Sequence, residues 1–162
     1  MPWRVTASVH AVPAHFLGYN KGPDGRPQVN PEQARLVRRI YRMFLSGYPM
    51  HRIAVTLTDE GVPVPGPRGK KWYTNTIKSI LTNEKYRGDA LLQKTYISDF
   101  LTKKQVKNKG EVAQYYVTGS HEAIIDPETW DLVQYELETR KGKRSPYPFT
   151  MKLRCAVCGA WY

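Results

Sequence analysis

Apolar side chains recur at helical spacing in four stretches of this chain and give way to strand-like composition in two others. Ala34, Val37, Tyr41 and Phe44, widened by Ile40 and Leu45, form one stripe, while Arg35, Arg38, Arg39 and Arg42 lie mostly on the other faces. Asn30 can cap this segment, Pro31 suits a first helical position, and Gln33 can reach back to the cap. Ser46-Gly47-Tyr48-Pro49 stops it, with Gly47 suited to a left-handed cap, so the pattern predicts a helix over 31–46. A second helix over 50–60 buries Ile53, Ala54 and Leu57 and closes at Gly61. The stretch Val62 to Lys71 holds three prolines and two glycines, which exclude a helix and make an exposed basic loop. A third helix over 74–83 takes Thr74 as its N-cap and turns Ile77, Ile80 and Leu81 inward. Asn75, Lys78, Ser79 and Thr82 are left pointing outward.

Beyond Asn83 the period changes. Residues 86–98 and 111–118 are rich in Tyr, Leu, Thr, Ile and Val and read as strands, with a second basic loop, Lys103 to Gly110, between them. Asp126-Pro127-Glu128 starts a last helix over 127–140, whose inward stripe is Trp130, Val133 and Leu137. Residues 1–20 show no sustained period and read as an N-terminal arm. In the turn-rich stretch Lys21 to Pro27 that follows, Asp24-Gly25 suits a hairpin connection. The expected fold is α+β: a helix-turn-helix-like three-helix unit over 31–83, a small β-containing part and a C-terminal helix. The expected organisation is the arm (1–20), a main domain over 21–144, and a linker opening a new module over 145–162.

Charge narrows the choice of partner. Among 162 residues, 25 Lys and Arg face 14 Asp and Glu, for a net charge of +11. That favours a polyanion. No apolar run approaches the ~20 residues of a membrane span, and the first twenty residues lack the apolar core of a signal peptide. Two cysteines make no disulfide scaffold and suit a reducing, cytoplasmic setting.

Three constellations carry candidate chemistry. In the first, a third helix presenting polar side chains from its N-terminal end can enter a major groove, where Asn pairs with adenine and Lys donates to guanine. The residues so placed are Thr74, Asn75, Thr76, Lys78 and Ser79. Arg68, Lys70 and Lys71 beside it, with Lys103, Lys104 and Lys107 in the second loop, are candidate phosphate contacts. The plain alternatives are a helical bundle with a wet polar face and two solvated loops. The second constellation, Cys155-Ala156-Val157-Cys158-Gly159, has the spacing of half a tetrahedral zinc site, or of a redox pair. The chain ends four residues after Cys158, so the pair is expected to be metal-free here, with zinc completed by residues elsewhere in a longer protein. Catalysis is the third, and it fails. His10, His15, His51 and His121 are scattered singly. Ser120-His121-Glu122 cannot form a triad from adjacent positions, and no carboxylates cluster for a metal. Trp72 and Trp130 are expected in the core, with base stacking the lesser alternative for Trp72. An RNA-binding module, a non-enzymatic interaction scaffold and a metal-dependent nuclease remain open rivals.

The ordered combination Gly18-Tyr19, Gly47, Ile53-Ala54, Leu57, Gly61-Val62, Trp72, Ile77, Ile80 to Asn83 and Tyr86-Arg87-Gly88 resembles the recombinase domain of large serine recombinases, the integrases and transposases of phages and mobile elements. Asn108-Lys109-Gly110, Ser120 to Ile125, Trp130 and Val133-Gln134 are similar to that family too, and Cys155-x-x-Cys158 resembles the first knuckle of its zinc ribbon. The resemblance spans about 16–162. It implies that residues 21–144 bind duplex DNA at an attachment site during integration or transposition, with the arm, including Arg4, along the minor groove. It also implies that strand cleavage belongs to a serine of a separate N-terminal catalytic domain. None of Ser8, Ser46, Ser79, Ser98, Ser120 or Ser145 is then the nucleophile, and this chain binds DNA without cutting it. Self-association is expected to lie in other parts of the longer protein, and no membrane partner is expected.

Overall fold

The computed structural model describes residues 16–23, 25–66, 69–99 and 104–141, with backbone alone at 98, 99, 104 and 141. Its first element is a hairpin in which β1 (Tyr19–Lys21) pairs antiparallel with β2 (Pro27–Val29), setting Tyr19 opposite Val29. Gly25 at φ +78° lies in the connecting turn, and the Gly22 N–H donates to the Arg26 carbonyl at 2.8 Å. Residues 16–19, expected as part of an arm, pack instead into or against the core. Leu17 and Tyr19 are buried, and Phe16 stacks on Tyr19 and Tyr86 at 5.2 and 5.1 Å between ring centroids. The Phe16–Tyr86 contact joins positions seventy residues apart, which no local period records.

Helix α1 (Pro31–Leu45) starts as its cap residues dictate: the Asn30 side chain accepts from the N–H groups of Glu32 and Gln33, and Pro31 holds the first position. Gln33 does not reach back to the cap. Its side-chain oxygen accepts the Gly18 N–H at 2.8 Å and ties the hairpin to the helix. Gly18 sits at φ +92°, and a Cβ there would lie 2.6 Å from the Ile124 side chain, so only glycine fits. After Gly47, also left-handed, α2 (Met50–Asp59) runs back across α1, and α3 (Thr74–Leu81) packs on both. Ala34, Val37, Ile40, Tyr41 and Phe44 meet Ile53, Ala54 and Leu57 and then Ile77, Ile80 and Leu81 in one continuous core. Burying each large aliphatic or aromatic chain there contributes roughly 1.5–3 kcal/mol against the entropy of ordering it.

The segment after α3 departs from expectation. Residues 84–87, expected partly as strand, form one 3-10 turn (Glu84–Arg87), because the Asn83 side chain caps it through the Lys85 N–H and Gly88 at φ +91° ends it. Strand β3 (Ala90–Leu92) follows, Gln93 breaks it at φ +57°, and β4 (Thr95–Asp99) resumes. The expected basic loop is partly strand: β5 (Lys104–Lys107) pairs antiparallel with β4, Tyr96 opposite Val106. Lysine is poor in strand interiors but common on exposed edges, which a two-stranded ribbon has on both sides. Strand β6 (Tyr115–Val117) pairs with β3 and is shorter than expected. The buried Asn108 side chain folds the residues after it into a turn, donating to the carbonyls of Gln93 (2.9 Å) and Val112 (2.6 Å) and accepting from the Gly110 N–H.

Helix α4 (Pro127–Lys141) begins on Asp126, whose carboxylate accepts the Thr129 N–H at 2.8 Å. It buries Val133 and Leu137 against α1 and α3. Its Arg140 donates to the Phe44 and Tyr48 carbonyls and lies 4.2 Å from the Phe44 ring centroid, satisfying the open end of α1.

Candidate nucleic-acid interface

Helix α3 is held by its C-terminal end. The Tyr41 hydroxyl from α1 donates to the Ile80 carbonyl at 3.1 Å, and the Gln134 amide from α4 donates to the Leu81 carbonyl at 2.8 Å. The Trp130 indole reaches the Asn83 carbonyl at 3.3 Å. Carbonyls that a helix leaves unpaired at its end are thereby satisfied from two neighbouring helices. Burial pushes the Tyr41 phenol far above its ordinary range, so it stays a neutral donor.

The other end of α3 faces outward. Thr74, Asn75, Lys78 and Ser79 are exposed and Thr76 is half-buried. The four exposed positions fall at i, i+1, i+4 and i+5, which makes one stripe on a helix. Thr74 is the first helical residue rather than the N-cap. Tyr73 takes the cap position, and its carbonyl accepts from the N–H groups of Thr76 and Ile77. No side chain caps this end, and no acid lies in its first turn.

Trp72 fixes what stands beside the stripe. Its backbone N–H donates to the Thr58 hydroxyl at 3.0 Å, and its indole donates to the Val62 carbonyl at 2.9 Å. At 4% exposure it belongs to the core, which removes base stacking as its role. Pinned to α2 in this way, it sets Lys70 and Lys71, both exposed, next to the N-terminus of α3. The Lys71 ammonium lies 5.3 Å from the Tyr73 ring centroid. Lys107 is exposed at the end of β5, and Lys104 lies in that strand. Arg68, Lys103 and the Cys155–Cys158 pair lie outside the described residues, as does Arg4.

The structure therefore gathers Thr74, Asn75, Thr76, Lys78, Ser79, Lys70 and Lys71 on one surface. Lys104 and Lys107 stand apart from these, on the β4–β5 ribbon. His51, Val55 and Tyr73, which the helical stripes do not bring together, line a notch against the same end of α3. The available signal was Val55, an apolar residue off the Ile53, Ala54 and Leu57 stripe.

Three other titratable groups, Glu84, Asp89 and His121, serve the scaffold. Glu84 is buried and pairs with Lys94 at 2.7 Å. Asp89, also buried, accepts from the Tyr116 hydroxyl and the Gly119 N–H. The His121 ring lies 2.7 Å from the Lys85 carbonyl through Nε2, a distance that makes Nε2 the protonated nitrogen. Burial, then the nearby Lys85 ammonium, hold this imidazole below its ordinary pKa. Ser120, His121 and Glu122 thus form no triad. Among the described residues, no three His, Cys, Asp or Glu side chains come close enough to hold a metal ion. Nor is any described helix long and apolar enough to cross a membrane.

Comparison with known proteins gives concordant matches. Residues 31–140 match the family model described as Recombinase. A putative DNA recombinase of Bacillus subtilis is 27% identical over 146 residues, covering 82% of this chain and 29% of the relative. Among solved structures, a large serine recombinase–DNA complex superposes with a TM-score of 0.58 at 23% identity, over 93% of this chain and 41% of the other. A structure from work on the sequence requirements of the Listeria innocua prophage attP site gives 0.56 at 22% identity, over 94% and 57%. The chain thus spans well under two thirds of the length of each.

Proposed function

This chain belongs to the recombinase family, with the architecture of the large serine recombinases, and from that premise we propose that it is a duplex-DNA-binding domain that recognises the attachment site of a site-specific recombinase. One observation carries the reading: α3 is anchored by its C-terminal end and presents an exposed polar stripe from the other, with lysines at its side. A helix held in this way can enter a major groove without moving its core. Thr74, Asn75, Thr76, Lys78 and Ser79 then face base edges, and Arg68, Lys70 and Lys71 meet the phosphates beside them. Lys104 and Lys107 on the β4–β5 ribbon, with Lys103 next to them in sequence, meet a further stretch of backbone, and the arm with Arg4 follows the minor groove. Strand cleavage belongs to another domain of the longer protein, and Cys155 and Cys158 supply two thiolates to a zinc site completed there. That the two superposed structures come from work on a DNA complex and on an attachment site supports the same role.

The test is a selection from a randomised duplex pool followed by competition. The chain is expected to enrich a defined sequence, and unlabelled duplex is expected to displace it better than single-stranded or hairpin RNA. Preferential displacement by RNA would replace this reading with an RNA-binding one, for which the exposed Tyr115 and Tyr116 on β6 would be the stacking candidates.

A further inference from the structure

We propose that the notch between α2 and the N-terminus of α3 is a specificity pocket for the C5-methyl group of thymine. The bound sequence then carries an A·T pair where it faces Val55 and Tyr73. This rests on the duplex-DNA reading above and deepens it.

The stripe on α3 is polar, yet the surface directly beside it is not. Val55 is 46% exposed and Tyr73 56% exposed. Both line an open notch of about 300 Å³, floored by Ala54 and the buried Trp72 and bounded by Thr74, the first residue of the proposed reading helix. Neither apolar residue serves the core. Val55 lies off the buried face of α2, and Tyr73 precedes α3 with its side chain in solvent. Lys71, whose ammonium lies against the Tyr73 ring, supplies a cation at the rim. His51 lines one end of the notch, and Asp59 at the other is its one carboxylate.

A helix in the major groove meets base edges that are hydrogen-bond donors and acceptors, with one apolar exception, the thymine methyl. An aliphatic and an aromatic side chain beside the reading stripe, with the Lys71 ammonium at the rim to meet a flanking phosphate, match that exception. A base edge without that methyl leaves Val55 and the Tyr73 ring with no apolar contact. The pocket therefore selects by contact with the methyl.

The duplex that the wild-type chain selects from a randomised pool is the probe. Each thymine in it is replaced singly by deoxyuridine, which removes the methyl and leaves every hydrogen-bonding group in place. One position is expected to weaken binding about fourfold, the value of one buried carbon. Val55→Ser and Tyr73→Ala, both at exposed sites and checked for unchanged thermal melting, are expected to bind the thymine and deoxyuridine duplexes equally. Sequence-selective binding with no deoxyuridine-sensitive position overturns the proposal, as does a sensitive position that persists in both variants. Absence of any sequence selection is a different result: it fails the duplex-DNA reading itself, and this pocket with it.

Discussion

Lys78 sits one turn along the exposed stripe of α3, and its removal leaves the core untouched because Ile77, Ile80 and Leu81 carry the packing. If its ammonium donates to a guanine edge, Lys78→Ala costs about 1–3 kcal/mol on the selected duplex and little on random DNA. An equal, small loss on both duplexes makes it a phosphate contact instead. His121 gives a residue-scale prediction about stability. Its neutral ring is packed edge-on to Tyr19, 5.0 Å between centroids, and held against the Lys85 carbonyl. Burial depresses its pKa, the hydrogen bond to the Lys85 carbonyl opposes that, the Lys85 ammonium adds to the lowering, and Asp89 and Glu84 oppose it. The unfolded chain therefore binds a proton at higher pH than the folded one. Stability is unaffected by this group above its ordinary pKa of about 6.5 and falls as pH drops below that value through the folded pKa. Thermal melts between pH 7.5 and 5.5 are expected to show that decline in the wild type and a flatter profile in His121→Gln. Equal profiles would remove His121 as the source.

Elements carry the next level of argument. The loop before α3 is held at Trp72 by two hydrogen bonds, which sets the exposed Lys70 and Lys71 just ahead of the polar stripe of α3. Each phosphate neutralised adds about −0.9 to the log–log salt slope of binding. Lys70→Ala combined with Lys71→Ala is accordingly expected to flatten that slope by about two units, measured by fluorescence anisotropy across a salt series. An unchanged slope would take this loop out of the interface. The helices were legible because their signals are local: Asn30 with Pro31, Gly47, and Asp126 with Pro127 mark ends within a few residues of the stripes they bound. The β part was not, since its shape depends on distant partners. The turn at Glu84–Arg87 is stabilised by the Ile124 and Ile125 N–H groups donating to the Tyr86 carbonyl, and Lys104–Lys107 becomes strand only by pairing with Thr95–Asp99. At the candidate site the stripe could be read from helical spacing, whereas the notch formed by Val55 and Tyr73 required knowing that α2 and the start of α3 lie side by side.

At the scale of the whole molecule, charge is sorted as well as unbalanced. From Val62 to Asn83 there are Arg68, Lys70, Lys71 and Lys78 and no carboxylate, while Asp126 to Glu138 gathers Asp126, Glu128, Asp131, Glu136 and Glu138. The Val62 to Asn83 stretch is thus suited to a polyanion, and α4 is turned to packing and to closing the ends of α1 and α3. The same sorting bears on cleavage. Phosphodiester hydrolysis with magnesium needs carboxylates gathered where the phosphate lies, and the Val62 to Asn83 stretch that holds α3 has none. The buried acids are spent elsewhere, Glu84 on Lys94 and Asp89 on Tyr116 and the Gly119 N–H. Incubated with supercoiled plasmid and magnesium, the chain is therefore expected to retard the plasmid on a gel in a salt-sensitive manner. After protein removal, the plasmid is expected to be recovered fully supercoiled. Nicked circles that increase with time and disappear with a chelator would show the opposite: a metal-dependent nuclease centre, and a polyanion surface that positions a substrate for hydrolysis rather than a site for recognition.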